Sequence, residues 1–373
     1  MSVAFEENFI ILQEEFRQVI QVIAWPIIIV GILANVGVVV RIVIPHGTTN
    51  RSNLRPLYRS SLVSLAAADL LMLTTTGTNV LANVSGRTHL WKLPSSACSL
   101  IPFLQTVAMI VASLNLAFVA TDRFQAIRAQ VPSSSANSSS SVGFLIATVV
   151  FTWGIALGSS YPVLNIYNAE AVTIINNSTN KTYPAMLCLV SNRQSVTTIY
   201  TALFTVIFLP LAAVFIVVYI LLALNIHRKK IGNCQTSEST ISQEISTAST
   251  SMSNSGPRPM KKKIPKHVMR KRRTVRVILT LIGVFVLCRM PQWSFLLVKL
   301  YVKVFHKFWW HLQVVLTLLS LINAAVHPFL YAFLNEALSL FSWVNSLCLK
   351  KTTEANSVPE IISIKIPRGP YVN

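Results

Sequence analysis

The sequence predicts an all-α membrane protein: a seven-transmembrane-helix bundle followed by a short amphipathic cytoplasmic helix. Three observations carry that expectation. The 373 residues are 53% hydrophobic and only 12% charged, a balance that suits lipid as the solvent. Apolar runs long enough for ~30 Å of hydrocarbon recur at about 19–44, 57–82, 97–123, 143–163, 197–226, 274–302 and 309–332. The basic residues behind the formal net charge of +20 gather in the connections between those runs. A membrane surface accounts for them better than nucleic acid does, so no nucleic-acid partner is expected.

Residues 1–18 form a short outer segment with acidic residues and no basic n-region, so no cleavable signal peptide is apparent and the first span must act as its own insertion signal. The membrane-embedded body then runs over 19–345, with 227–273 a largely disordered basic, Ser/Thr-rich inner loop, and 346–373 form a tail. Seven spans place the termini on opposite sides. Of the 32 Lys and Arg residues, 23 fall in the even-side loops and C-terminal tail, 8 on the other face, and Arg289 inside a span. The positive-inside bias therefore puts the N-terminus outside and the C-terminus in the cytoplasm. Glycosylation sequons agree: Asn176, Asn177 and Asn180 lie in the outer fourth-to-fifth connection, and Asn83 lies near the outer end of span two. Asn50 and Asn137 also match but fall inside. Val131–Val142 and Thr236–Ser255 are too polar for a packed core and read as mobile inner loops, either phosphorylated or simply spacers.

Span three, from Cys98 to Arg123, covers ~37 Å as a helix, about a bilayer with part of its headgroups. Cys98 and Cys188 are the two cysteines expected outside; in an oxidising compartment they can form a disulfide that ties the outer loop over the bundle, with two free thiols as the alternative. Cys348 follows an amphipathic stretch, Phe333–Trp343, and is a candidate for palmitoylation at a membrane-surface helix.

Polar groups within spans are costly and face the interior of a bundle. Asp69 and Asn35 lie at similar depth in spans two and one, as either a hydrated ion or proton site or an Asp–Asn clasp. Arg289 lies ~3 Å along the axis from Pro291, a buried cation beside a kink; it pairs with a polar group of a neighbouring helix or contacts ligand. Asn323 and His327 continue this polar network into span seven, where Pro328 and Tyr331 follow, and Pro210 marks span five. Kinked helices with internal polar groups suit switching between two packings.

Together these residues resemble the rhodopsin-like (class A) G-protein-coupled receptors, of the peptide-receptor type. Asn35, Asp69, Trp91 before Cys98, Asp122-Arg123-Phe124, Trp153, Pro210, Phe285 with Cys288 and Pro291, and His327-Pro328 with Tyr331 follow that family's order. The resemblance implies a cell-surface receptor, not an enzyme, in the plasma membrane. An extracellular ligand would move the inner ends of spans five and six away from span three and open a pocket for a heterotrimeric G protein. Asp122, Arg123, Phe124, Pro328 and Tyr331 are then the coupling and switch residues: Arg123 would meet the G protein, and Asp122 would restrain it in the resting state. Arrestin and receptor kinases are further partners implied through the Ser/Thr-rich inner segments, and membrane lipids surround the bundle.

The sequence also departs from the family. Arg289 stands where an aromatic residue is usual, His327 where Asn or Asp is usual, and Ala112 where serine is frequent. These missing donors argue against sodium at Asp69; no cofactor or metal is expected. Arg270-Lys271-Arg272-Arg273 offers no acid to lock Arg123. Gln105 stands where amine receptors carry aspartate, which argues against a charged amine. Gln105, Arg289, Trp293 and Lys299 are the candidate ligand contacts. A rim of Arg87, Lys92, Lys299, Lys303, His306 and Lys307 suits an anionic group or is merely solvated. A peptide is the first ligand expectation, with a lipid or small carboxylate second. An aspartyl intramembrane enzyme is excluded because Asp69 is the only acid deep in a span. In a transporter or channel, Asp69, Arg289 and His327 would instead form a polar pathway.

Overall fold

Each of the seven apolar runs forms a helix in the computed structural model, which describes residues 3–5, 9, 11–43, 56–86, 88, 90–128, 138–176, 181–221, 224, 266–302 and 307–330. The helices are α1 (Glu14–Val43), α2 (Pro56–Val84), α3 (Ala97–Arg128), α4 (Ser138–Ser160), α5 (Arg193–Leu221), α6 (Lys266–Tyr301) and α7 (Lys307–Pro328). All seven contain a stretch long and apolar enough to cross a membrane. Their outward faces carry large apolar side chains that water would not tolerate in such number, among them Val22 on α1, Leu33 on α1, Val150 and Phe151 on α4, Val206 on α5 and Leu287 on α6. The protein is a multi-pass membrane protein whose apolar belt faces lipid.

Two boundaries differ from expectation. The inner loop assigned to 227–273 ends earlier, because α6 already begins at Lys266. Lys and Arg are good helix formers, so the apolar helix extends outward through its basic flank. Likewise Ser138–Val142, expected as loop, forms the first turn of α4.

Beside the seven-helix bundle, which bears out the expected all-α class, the structure adds one small sheet that the sequence reading did not place. Strands β2 (Tyr167–Asn176) and β3 (Lys181–Val190) form an antiparallel hairpin in register from Tyr167 opposite Val190 to Asn176 opposite Lys181, and β1 (Val3–Phe5) pairs in parallel with β2. The run Ala171-Val172-Thr173-Ile174-Ile175 is rich in β-branched residues and is followed by Asn and Ser, so the hairpin signal was present beside the stronger helical ones.

Helices α2 and α3 form the core, with Leu65, Leu73, Ile110 and Leu116 fully buried or nearly so. Close approach on α1 depends on Gly31: a Cβ there would sit 2.8 Å from Leu73 and 2.9 Å from Ala325. Polar clasps add direction to the packing. Ser64 Oγ on α2 accepts from Asn115 Nδ2 of α3 and Trp153 Nε1 of α4, both at 3.0 Å. Arg17 Nε and Gln21 Nε2 on α1 donate to the Val84 carbonyl at the end of α2, at 3.1 and 3.0 Å. In α5, Phe204–Phe208 forms a π-helical turn immediately before Pro210. Pro210 has no N–H to offer and its ring crowds the preceding turn, and a widened turn there accommodates both.

Candidate functional site

At the end of the bundle that carries the sheet, the helices enclose a cavity of about 790 Å³. This size suits a substantial organic ligand. The Cys98–Cys188 disulfide joins the start of α3 to β3, with Cα atoms 5.6 Å apart, and both cysteines line the cavity. Trp91 reinforces the roof: its backbone N–H donates to the Met186 carbonyl at 2.8 Å and its Nε1 to the Pro94 carbonyl at 3.1 Å.

Three of the four expected ligand contacts, Gln105, Trp293 and Lys299, line the cavity together. Trp293 is buried at its floor, where its Nε1 lies 2.6 Å from Met109 Sδ and its ring packs 4.5 Å from that of Phe208. Tyr200 flanks it at 6.4 Å. Tyr200 also shares side-chain hydrogen bonds with Tyr167 and Thr106. Burial raises the Tyr167 phenol above its ordinary range, while that bond to Tyr200 acts in the opposite direction.

Arg289, the fourth, is not among the lining residues. It lies fully buried, and its Nη1 donates to Ser320 Oγ of α7. The guanidinium feels the field of the Asp69 carboxylate, although no hydrogen bond joins the two side chains. Asp69 in turn meets His327, whose Nδ1 is 2.9 Å from Oδ2 and 3.2 Å from Oδ1. Asn35 does not clasp Asp69: its Nδ2 donates to the carbonyls of Gly31 at 2.9 Å and Ala324 at 3.2 Å. The buried centre thus holds an Asp69–His327 hydrogen-bonded pair between α2 and α7, with Arg289 of α6 tied to Ser320 of α7. Asn323 lies fully buried on the same helix as His327, with no side-chain hydrogen bond among the described residues. No cluster of three or more acidic, His or Cys residues able to hold a metal occurs among the described residues.

The inner switch is only partly described. Asp122 is buried on α3, Arg123 and Phe124 continue that helix with side chains outside the description, and Pro328 is buried at the end of α7. Tyr331 and Cys348 lie outside the described residues, as do Asn177, Asn180, Arg87, Lys303 and His306. Asn176 closes β2. Asn83 is helical, lines the cavity and donates from Nδ2 to Asn79 Oδ1 at 3.1 Å, so the atom that would carry a glycan is already engaged. Lys92 is largely exposed, and its pKa is lowered from the ordinary value first by partial desolvation and then by the charge of Arg17.

Sequence reasoning did not single out Arg193, Gln292, Gln313, Trp310, Phe9 or Ile11, all of which line the cavity. Phe9 and Ile11 come from the segment between β1 and α1, and their signal was the apolar run Phe9-Ile10-Ile11-Leu12.

Residues 38–331 match the seven-transmembrane receptor (rhodopsin family) profile. A QRFP-like peptide receptor of Branchiostoma floridae is 31% identical over 114 residues, which cover 29% of this chain and 27% of that receptor. The match thus spans just over a quarter of the relative's length. With four fifths of its residues inside the family match and seven helices in place, the chain belongs to the rhodopsin family of seven-transmembrane receptors, which are receptors and not enzymes.

Proposed function

We propose that this protein is a plasma-membrane receptor that converts binding of an extracellular peptide into activation of a heterotrimeric G protein. The observation that carries the peptide reading is the cavity itself. It is large, roofed by a β-hairpin, and lined by aromatic side chains (Trp91, Trp293, Trp310) together with neutral hydrogen-bonding ones (Gln105, Gln292, Gln313). Aromatic faces take up apolar side chains, while carboxamides offer both donor and acceptor to a peptide backbone. That the similar Branchiostoma protein is a QRFP-like peptide receptor supports the same ligand class.

In this reading the sheet-bearing end faces outward and the long basic connection faces the cytoplasm, as the distribution of Lys and Arg favours. A ligand pressing on Trp293 acts on α6 above Pro291, and the inner end of that helix responds. Asp122 and Arg123 lie at the inner end of α3, where the G protein would dock, with arrestin and receptor kinases using the same face and the Ser/Thr-rich segments. The test is ligand-dependent nucleotide exchange on purified G protein with the full chain in nanodiscs, after a screen of secreted peptides. Exchange on addition of a peptide is the expected result. Solute flux through liposomes with no effect on nucleotide exchange would instead identify a transporter.

A further inference from the structure

Lys299 stands on the last turns of α6, half-buried in the cavity wall. Its Nζ donates to Gln313 Oε1 at 2.6 Å and lies 4.1 Å from the centre of the Trp310 ring. Both partners are neutral, so the ammonium is held in place without being charge-balanced. Arg193, at the start of α5, lines the same cavity, and its Nη2 lies 3.5 Å from the carbonyl of Leu300, the residue next to Lys299. Two cations from two helices thus meet along one wall. None of the described lining residues is acidic, and the described acids Glu14, Glu15, Asp69, Asp122 and Glu170 all lie elsewhere.

A cation partly removed from water and given only neutral partners gains most from an anion that enters beside it. The same wall repels an ammonium or guanidinium. Resting on the peptide reading above, we infer that the ligand presents a carboxylate to Lys299 and Arg193. The remaining walls bind its neutral parts: Gln292, whose Oε1 has no hydrogen-bond partner, accepts a backbone N–H, and Trp293 receives an apolar side chain. A C-terminal carboxylate and an acidic side chain offer the same chemistry here.

The experiment uses cells expressing the full chain, a G-protein dissociation readout, and matched synthetic peptide libraries. One has free C-termini, a second has C-terminal amides but retains Asp and Glu, and a third is amidated and free of acids. The expected result is a response to the first or the second library, which identifies the carboxylate's source, and none to the third. Hits should lose at least tenfold in potency on Lys299→Gln or Arg193→Gln and retain it on Lys299→Arg, at matched surface expression. Equal response to the third library, or unchanged potency on Lys299→Gln, overturns the carboxylate assignment and leaves the peptide reading standing. Silence of the wild-type chain to all three overturns the peptide reading and this assignment with it.

Discussion

Replacing Asp69 by Asn should destabilise the protein strongly, and replacing Arg289 by Met in the same chain should recover much of the loss. Asp69, Arg289 and His327 are all fully buried, and Asp69 is the acid whose field reaches Arg289. Asp69→Asn keeps the shape but leaves the guanidinium with Ser320 as its hydrogen-bond acceptor. Removing one partner of a buried pair costs about 3–5 kcal/mol because the other charge is left uncompensated. Arg289→Met in the wild-type background should cost less, since Asp69 keeps His327 at 2.9 Å and the unpartnered Arg289 Nε and Nη2 are removed. In the double variant no buried guanidinium remains to be compensated, so the two changes should couple by about 2–3 kcal/mol, well beyond the ~0.5 kcal/mol expected of independent sites. The assay is thermal unfolding of the four proteins in nanodiscs without ligand. At roughly 2–4 °C per kcal/mol for a chain of this order, Asp69→Asn should lower Tm by about 6 °C or more, and the double variant should lie several degrees above it. Additive shifts would refute the electrostatic coupling of α2 with α6.

Other predictions test the remaining contacts. Ser64→Ala removes the acceptor of Trp153 Nε1 and one of the two acceptors of Asn115 Nδ2, which keeps the Val111 carbonyl; at about 1–3 kcal/mol for the indole donor left dry it should lower Tm by a few degrees, and a shift under one degree would show that neither bond matters. Asp122→Asn should raise basal nucleotide exchange at matched surface expression, and equal or lower exchange would remove Asp122 as the restraint on Arg123. Asn83→Gln should leave the glycosidase-sensitive mass unchanged, whereas joint substitution of Asn176, Asn177 and Asn180 should reduce it; the opposite pattern would contradict the inward placement of Asn83.

The helices were legible because twenty apolar residues in a row have one stable solution in lipid, an internally hydrogen-bonded helix. What the sequence could not reveal was how deep the cavity reaches and which helices pack side by side. Arg289 and Trp293 are one turn apart on α6, yet only Trp293 lines the cavity while Arg289 meets Ser320. The Asp69–His327 pair was hidden for the same reason: both were visible as buried polar residues, but only the packing of α2 against α7 joins groups 258 positions apart. The strands were obscured differently. Three-residue β1 has no periodicity of its own, and its existence depends on the edge that β2 offers.

The π-helical turn in α5 has a consequence for how this helix tolerates change in length. Its buried residues fall at Val196, Tyr200 and Leu203, then at Phe208, Ala212, Phe215 and Val218, so the stripe advances by three or four except across the turn, where it advances by five. The turn therefore acts as a phase adjuster between two helical halves, one directed at the cavity and the other at Phe285 of α6, whose ring centre lies 5.2 Å from that of Phe215. Deleting one residue between Phe204 and Phe208 would turn that five-residue step into the four-residue step of an ordinary helix, and both halves would keep their faces. Tyr200 would then stay in the cavity wall, whereas a deletion between Leu209 and Phe215, with the π turn kept, would rotate the outer half by about 100° and carry Tyr200 away from it.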